Sequence, residues 1–149
     1  MENSNERFNQ SFFRFEDLRI YHKSIEYNNW VHKSVGYFSD DSKMTLAVPF
    51  TRSAQAIALN IAEGSSRLKS QFSYYLKIAK TSIRECLVYT SIAKELGYFS
   101  EEQDEESRRQ LMELTRMIGA LINSIERTEE EKANYHASHK PKDDIDFED

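Results

Sequence analysis

Cysteine is almost missing from this sequence. Cys86 stands alone among 149 residues, which excludes an intramolecular disulfide framework and a cysteine-based zinc site. Its place inside an apolar helical pattern makes it a small core residue, in keeping with a reducing compartment. Proline and glycine are scarce too, at two and four residues, so the chain lacks the turn punctuation that a sandwich or barrel of many short strands needs. No stretch approaches the roughly 20 apolar residues that span a bilayer. Met1 to Gln10 is polar where a secretion signal needs an apolar run. The expectation is a soluble, cytoplasmic, helical protein with no membrane partner.

What is present suffices for a core. Apolar residues make up 39% and charged residues 30%, which excludes disorder throughout. A single domain of this size buries roughly 68–70% of its unfolded surface. The net charge of −5 conceals a partition. Residues 1–42 carry five Lys/Arg against seven Asp/Glu, residues 43–98 eight against three, and residues 99–149 seven against fifteen, giving −2, +5 and −8. A basic middle and an acidic end are compatible with an anion-binding surface, and equally with opposite charges attracting within one fold.

Apolar periodicity divides the chain into four helical segments. The first runs from about Glu16 to Val35, with Leu18, Tyr21, Ile25 and Val31 inward and Asn28 and Asn29 interrupting the stripe. The second lies between Thr45 and Glu63, where Leu46, Phe50, Ala54, Ile57 and Ile61 recur at spacings of three and four. Pro49 either marks its start near Val48 or kinks it, because a proline past the first turn removes a backbone bond and strikes the preceding turn. In the third, Phe72, Leu76, Ala79, Ile83, Cys86, Thr90, Ala93 and Gly97 alternate by four and three, the seam of a left-handed bundle. Tyr75, Leu87 and Leu96 widen that stripe, and Ser70 is placed to cap it. The fourth opens with Ser100 and Gln103, spaced as a capping box, continues through Leu111, Leu114, Ile118, Leu121 and Ile125, and fades after Arg127. Gly36, Gly64 and Gly97 are expected to close the first three helices in the left-handed conformation, and Gly119 to admit a neighbouring helix closely.

Short polar connections leave each helix only the path back along the last. The predicted fold is therefore all-α, an antiparallel up-down-up-down four-helix bundle over residues 15–134. Residues 1–14 form an N-terminal arm and residues 135–149 an acidic tail. Phe8, Phe12, Phe13 and Phe15 make the arm aromatic enough to pack on the bundle or on a neighbouring subunit.

A four-helix bundle invites a search for a di-iron site, but no Glu-x-x-His occurs. Phosphate-cradling glycine loops and the Gly-x-Ser-x-Gly elbow are missing too. His22 with Glu26, and His136 with His139, offer two ligands each, too few for a metal site. No enzyme activity, cofactor, metal or small-molecule substrate is expected. The most informative polar cluster is Asn60, Glu63 and Arg67 at the end of the second helix. A Glu in the last helical turn is disfavoured by the dipole and needs a partner such as Arg67 or Arg84. Read structurally, these residues with Ser82 and Glu85 form a polar network that fixes the hairpin. Lys77, Lys80 and Arg84 form a basic stripe on the third helix. With Lys69, Arg52 and Arg67 they are the candidate contacts to a phosphate backbone, against the alternative of a solvated face or ion pairs with the acidic fourth helix.

The run Phe15-Glu16-Asp17-Leu18, the segment Arg52-Ser53-Ala54 through Asn60-Ile61-Ala62-Glu63-Gly64 to Arg67, then Ser82, Glu85 and Gly97-Tyr98 together resemble the 23S ribosomal RNA intervening-sequence protein family, over about residues 15–127. The resemblance implies an antiparallel four-helix bundle assembled as a ring of five. It also implies kinship with the accessory protein of diversity-generating retroelements, a basic ring that engages reverse transcriptase and RNA. This chain departs from that branch in being acidic overall, in Pro49, Thr51 and Ser53, and in Thr81 where a Gly is usual.

The function expected is a non-enzymatic, oligomeric interaction module that binds structured RNA or a nucleoprotein through the basic stripe of the second and third helices. The alternative is a protein-only scaffold or accessory subunit. Self-association is expected also because Trp30, Tyr74 and Tyr89 exceed what one bundle core can hold.

Overall fold

A computed structural model describes residues 11–140. Among them every regular element is helical: α1 (Arg19–Val35), α2 (Val48–Ser65), α3 (Lys69–Glu95) and α4 (Glu101–Ser138). A 3-10 turn, Arg14–Asp17, precedes α1, and a single helical turn, Asp40–Ser42, leads through a π-helical turn, Lys43–Ala47, into α2. Consecutive helices pack side by side and α1 closes against α4. This is the up-down four-helix bundle that the short connections predict.

The stripes of α2, α3 and α4 go inward largely as read. Leu46, Phe50, Ala54, Ile57 and Ile61 are buried, as are Leu76, Ala79, Ile83, Cys86, Thr90 and Ala93, and Leu111, Leu114, Ile118 and Ile125. Each large side chain fully enclosed contributes roughly 1.5–3 kcal/mol. Leu87 and Leu96, expected to widen the α3 stripe, face outward. On α4, Ile122 takes the deeper position and Leu121 packs at its edge. The interior of α1 differs most. Ile20, Ser24, Tyr27, Val31 and Ser34 are buried, whereas Leu18 and Tyr21 pack at the margin. Two serines pass as core residues because each returns its hydroxyl to its own helix: Ser24 Oγ donates to the Tyr21 carbonyl at 2.6 Å and Ser34 Oγ to that of Trp30 at 2.8 Å. Tyr27 carries its polar end inward, its hydroxyl 2.9 Å from Ser107 Oγ, which lies 2.7 Å from Thr90 Oγ1. One hydroxyl chain thus joins α1, α3 and α4.

Helix ends follow local chemistry. The capping box is present: Ser100 Oγ accepts from the Gln103 amide at 3.1 Å, and Gln103 Oε1 from the Ser100 amide at 3.0 Å. Ser70 is not the cap of α3, which begins at Lys69 after an extended Leu68 with no side-chain cap. Pro49 stands in the first turn of α2, and the turn before it is widened to π geometry, which relieves the clash of its ring with the carbonyl four residues back. Of the three glycines expected to be left-handed, only Gly97 is, at φ 79°. Gly36 is right-handed, at φ −58°. Gly64 lies within α2 and serves another purpose: a Cβ there would come 2.7 Å from Tyr75 Cβ and 2.8 Å from Phe72 Cδ2, so its bareness lets α3 approach. Gly119 has nothing within 4 Å and admits no neighbour among the described residues.

After Gly97 the chain presents Tyr98 and Phe99 to an aromatic plug at that end of the bundle. Phe38 stacks on Tyr98 with centroids 4.9 Å apart, and Phe99 meets the edges of Trp30 and Phe38 at 5.6 and 5.7 Å. Tyr89 stacks on Phe50 at 5.6 Å. Trp30 and Tyr89 are therefore taken up by their own bundle, and only Tyr74 of the three aromatics read as excess stands exposed. In the arm, Phe15 packs on Tyr21 at 4.9 Å while Phe12 and Phe13 are exposed; Phe8 lies outside the described residues.

Candidate nucleic-acid interface

The six cations read as candidate phosphate contacts do not share one surface. Arg52 is exposed on α2 and makes no ion pair among the described residues. Arg67 follows α2 and folds back on Glu63, donating Nε to Oε1 at 3.0 Å, while its guanidinium lies 5.5 Å from the centre of the Tyr75 ring. Hydrogen bonding to Glu63 raises the Arg67 pKa further. Lys69 is exposed at the start of α3. Lys77 reaches across to α4 and donates Nζ to Glu126 Oε1 at 2.7 Å, an oxygen that also accepts from Ser73 Oγ at 3.1 Å. Those hydrogen bonds, that of Lys77 first, hold the Glu126 carboxyl below its usual range. Lys77 thus spends its charge locally and leaves the stripe.

Lys80 and Arg84 remain, and the fold gives them new company. Both line an open groove of about 830 Å³ between α3 and α4, and Arg108, Arg109 and Arg116 line it from the other side. The floor is apolar, with Ile83 and Leu111 buried and Leu87 and Met112 partly exposed at 37% and 49%. Arg108 is engaged by Asp104 at 3.0 Å, and Arg109 by Glu106 at 2.7 Å. Lys80, Arg84 and Arg116 have no carboxylate within ion-pair distance among the described residues, and Glu105 is the one acidic residue lining the groove. Such a surface is an anion-attracting trough with an oily base.

The polar cluster separates into pieces. Glu63 pairs with Arg67, as its place in the last turn requires, and Ser53 Oγ donates to Glu85 at 2.8 Å, linking α2 to α3. Asn60 Nδ2 donates to the Ala56 carbonyl of its own helix at 2.8 Å. Ser82 is buried. No hydrogen bond among the described residues joins these pieces into one network, because Asn60 satisfies itself locally and Glu63 and Glu85 take different partners. Arg84 bonds Thr81 Oγ1 at 3.2 Å rather than Glu63. His22 is exposed, with Nε2 against the Glu16 carbonyl, and His136 and His139 bond the carbonyls one turn back. Among the described residues no three His, Cys, Asp or Glu side chains gather as metal ligands would. No described helix is long and apolar enough to cross a membrane.

The arginines of α4 escaped the segmental tally of charge because they sit in the most acidic third of the chain. The signal was in their phase. Arg108, Met112 and Arg116 recur every four residues beside the Leu111, Leu114, Ile118 stripe, on the flank that an antiparallel α3 must face. Lys80 and Arg84 occupy the matching flank of α3.

With this geometry in place, the comparison of the sequence with family models is decisive: the model of the 23S rRNA-intervening sequence protein matches residues 16–120. The chain belongs to this family. The match begins within the 3-10 turn and runs through α1, α2 and α3 to Ala120 within α4, so the family pattern reaches all four helices of the bundle and both flanks of the groove. No curated protein matches the sequence.

Proposed function

We propose that this family member is a non-enzymatic, cytoplasmic interaction module that assembles as a homo-oligomer, a pentamer, and binds structured RNA through the α3–α4 groove. The observation that carries the reading is the meeting of Lys80 and Arg84 with Arg116 at one trough, with no carboxylate pairing any of the three among the described residues. Guanidinium and ammonium groups held open in this way can neutralise phosphates and release their counterions, and the association then weakens steeply with salt. Three phosphates neutralised give a log–log salt slope of roughly −2 to −3. The test is titration of a structured RNA at low and moderate salt with the wild type and a Lys80→Ala/Arg84→Ala/Arg116→Ala variant. Binding should fall at least about tenfold in the variant, while Lys77→Ala, whose charge already serves Glu126, should change it little. Absence of binding at low salt, or equal binding by the triple variant, refutes the reading. For the assembly, light scattering at micromolar concentration should give five times the 17.5 kDa chain mass, and a monomer would refute it.

Leu87 and Met112 favour a second reading, a protein-only scaffold, since an apolar floor is of no use to a phosphate backbone. Pull-down with and without nuclease separates the two. A protein contact survives loss of RNA.

A further inference from the structure

We infer that the α3–α4 groove is a docking surface for residues 143–149 of a second copy of this chain. The segment reads Asp143-Asp144-Ile145-Asp146-Phe147-Glu148-Asp149. Five of its seven residues are acidic, and the two that are not are large and apolar. In an extended strand, successive side chains point to opposite sides, so Ile145 and Phe147 share one side while Asp144, Asp146 and Glu148 occupy the other. The groove is the complement: Leu87 and Met112 stand partly exposed over buried Ile83 and Leu111, and Lys80, Arg84 and Arg116 rise at the edges without carboxylate partners among the described residues. Charge complementarity at the rim fixes register and speeds encounter, and burial of an aromatic anchor supplies residence.

Length decides that the copy is another one. From Met112 to the last residue of α4, Ser138, the helix rises about 39 Å at 1.5 Å per residue. From Ser138 to Phe147 a fully extended chain covers at most about 31 Å. While α4 stays helical to Ser138, Phe147 falls short of Met112 of its own chain, whereas the groove of a neighbour carries no such restriction. The inference goes beyond RNA binding and does not depend on it; the docked segment and RNA compete for the same three cations.

The test is photo-crosslinking of nuclease-treated full-length protein carrying Phe147→p-benzoylphenylalanine, with light and 15N-labelled chains mixed before irradiation. Crosslinks are expected between light and heavy chains, at residues of α3 and α4 around Leu87 and Met112. Their yield should fall at least about tenfold between 0.1 and 1 M salt, where the screening length shrinks from about 10 to about 3 Å. The same loss is expected from Arg84→Glu/Arg116→Glu, and from Asp144→Asn/Asp146→Asn/Glu148→Gln, three substitutions outside the described residues, with circular dichroism confirming that the helical content is unchanged. Crosslinks confined to single-isotope species, crosslinks on another surface, a yield indifferent to the three acidic substitutions, or none at all would overturn the inference. Any of these leaves the groove to RNA or to a foreign acidic peptide.

Discussion

Two glycines with opposite surroundings show how single atoms govern this bundle. A methyl group at Gly64 has to share space with Tyr75 Cβ and Phe72, both within 3 Å of it. Gly64→Ala should therefore destabilise by about 1–3 kcal/mol through overpacking, set against the gain of about 1 kcal/mol in helix propensity. Gly119→Ala meets nothing within 4 Å and should stabilise by up to about 1 kcal/mol. Thermal melts of the two variants, moving in opposite directions, check this. Burial also governs two protons. It raises the Cys86 thiol from 9.0 to about 12 and pushes the Tyr27 phenol well above its ordinary 10.0. Both groups stay protonated in the folded protein while their unfolded counterparts ionise, so their contribution is complete below pH 9 and is lost as pH climbs toward 12. Urea midpoints at pH 7, 9 and 10.5 should fall more steeply in the wild type than in Cys86→Ala/Tyr27→Phe; parallel curves would contradict it.

At the scale of the element, legibility followed chemistry that acts within a few residues. The Ser100 and Gln103 pair was visible because both bonds of the box are local. Ser100→Ala should cost about 1 kcal/mol, read as a lower urea midpoint with an unchanged slope. The stripes of α2 and α3 were visible because apolar side chains repeat at the helical period. In α1 the same rule found Val31 but set Leu18, Tyr21 and Ile25 ahead of the residues that go deeper, because Ser24 and Ser34 satisfy themselves on their own helix and Tyr27 finds a hydroxyl 80 positions away. A period of oily residues cannot register a serine that behaves as one. Pro49 posed a choice that sequence left open, and the π turn at Lys43–Ala47 answers it by easing the strain upstream of the ring. The reach of α4 past Arg127 comes from strong helix formers and an i, i+3 pair, Lys132 with Glu129 at 3.7 Å, rather than from burial.

At the scale of the whole molecule, charge counted along the chain misjudged charge in space. Lys77, Lys80 and Arg84 looked equivalent by spacing, yet α4 brings Glu126 to the first and arginines to the other two. The proposed ring and the α3–α4 trough are separate ideas, and each has its own test. Assembly is read by mass, anion binding by salt.

The fourth helix, meanwhile, has outgrown its bundle. With 38 residues against 27 in α3, it extends about 16 Å further at 1.5 Å per residue, and everything from Glu130 to Lys140 is exposed. Among the described residues nothing braces this rod, and so short a helix is marginal on its own in water. Within α4, trypsin should accordingly cut first after Lys132, and at concentrations too low for copies to associate the trimmed body should melt at the temperature of the intact chain, because the clipped mast never carried any of the roof.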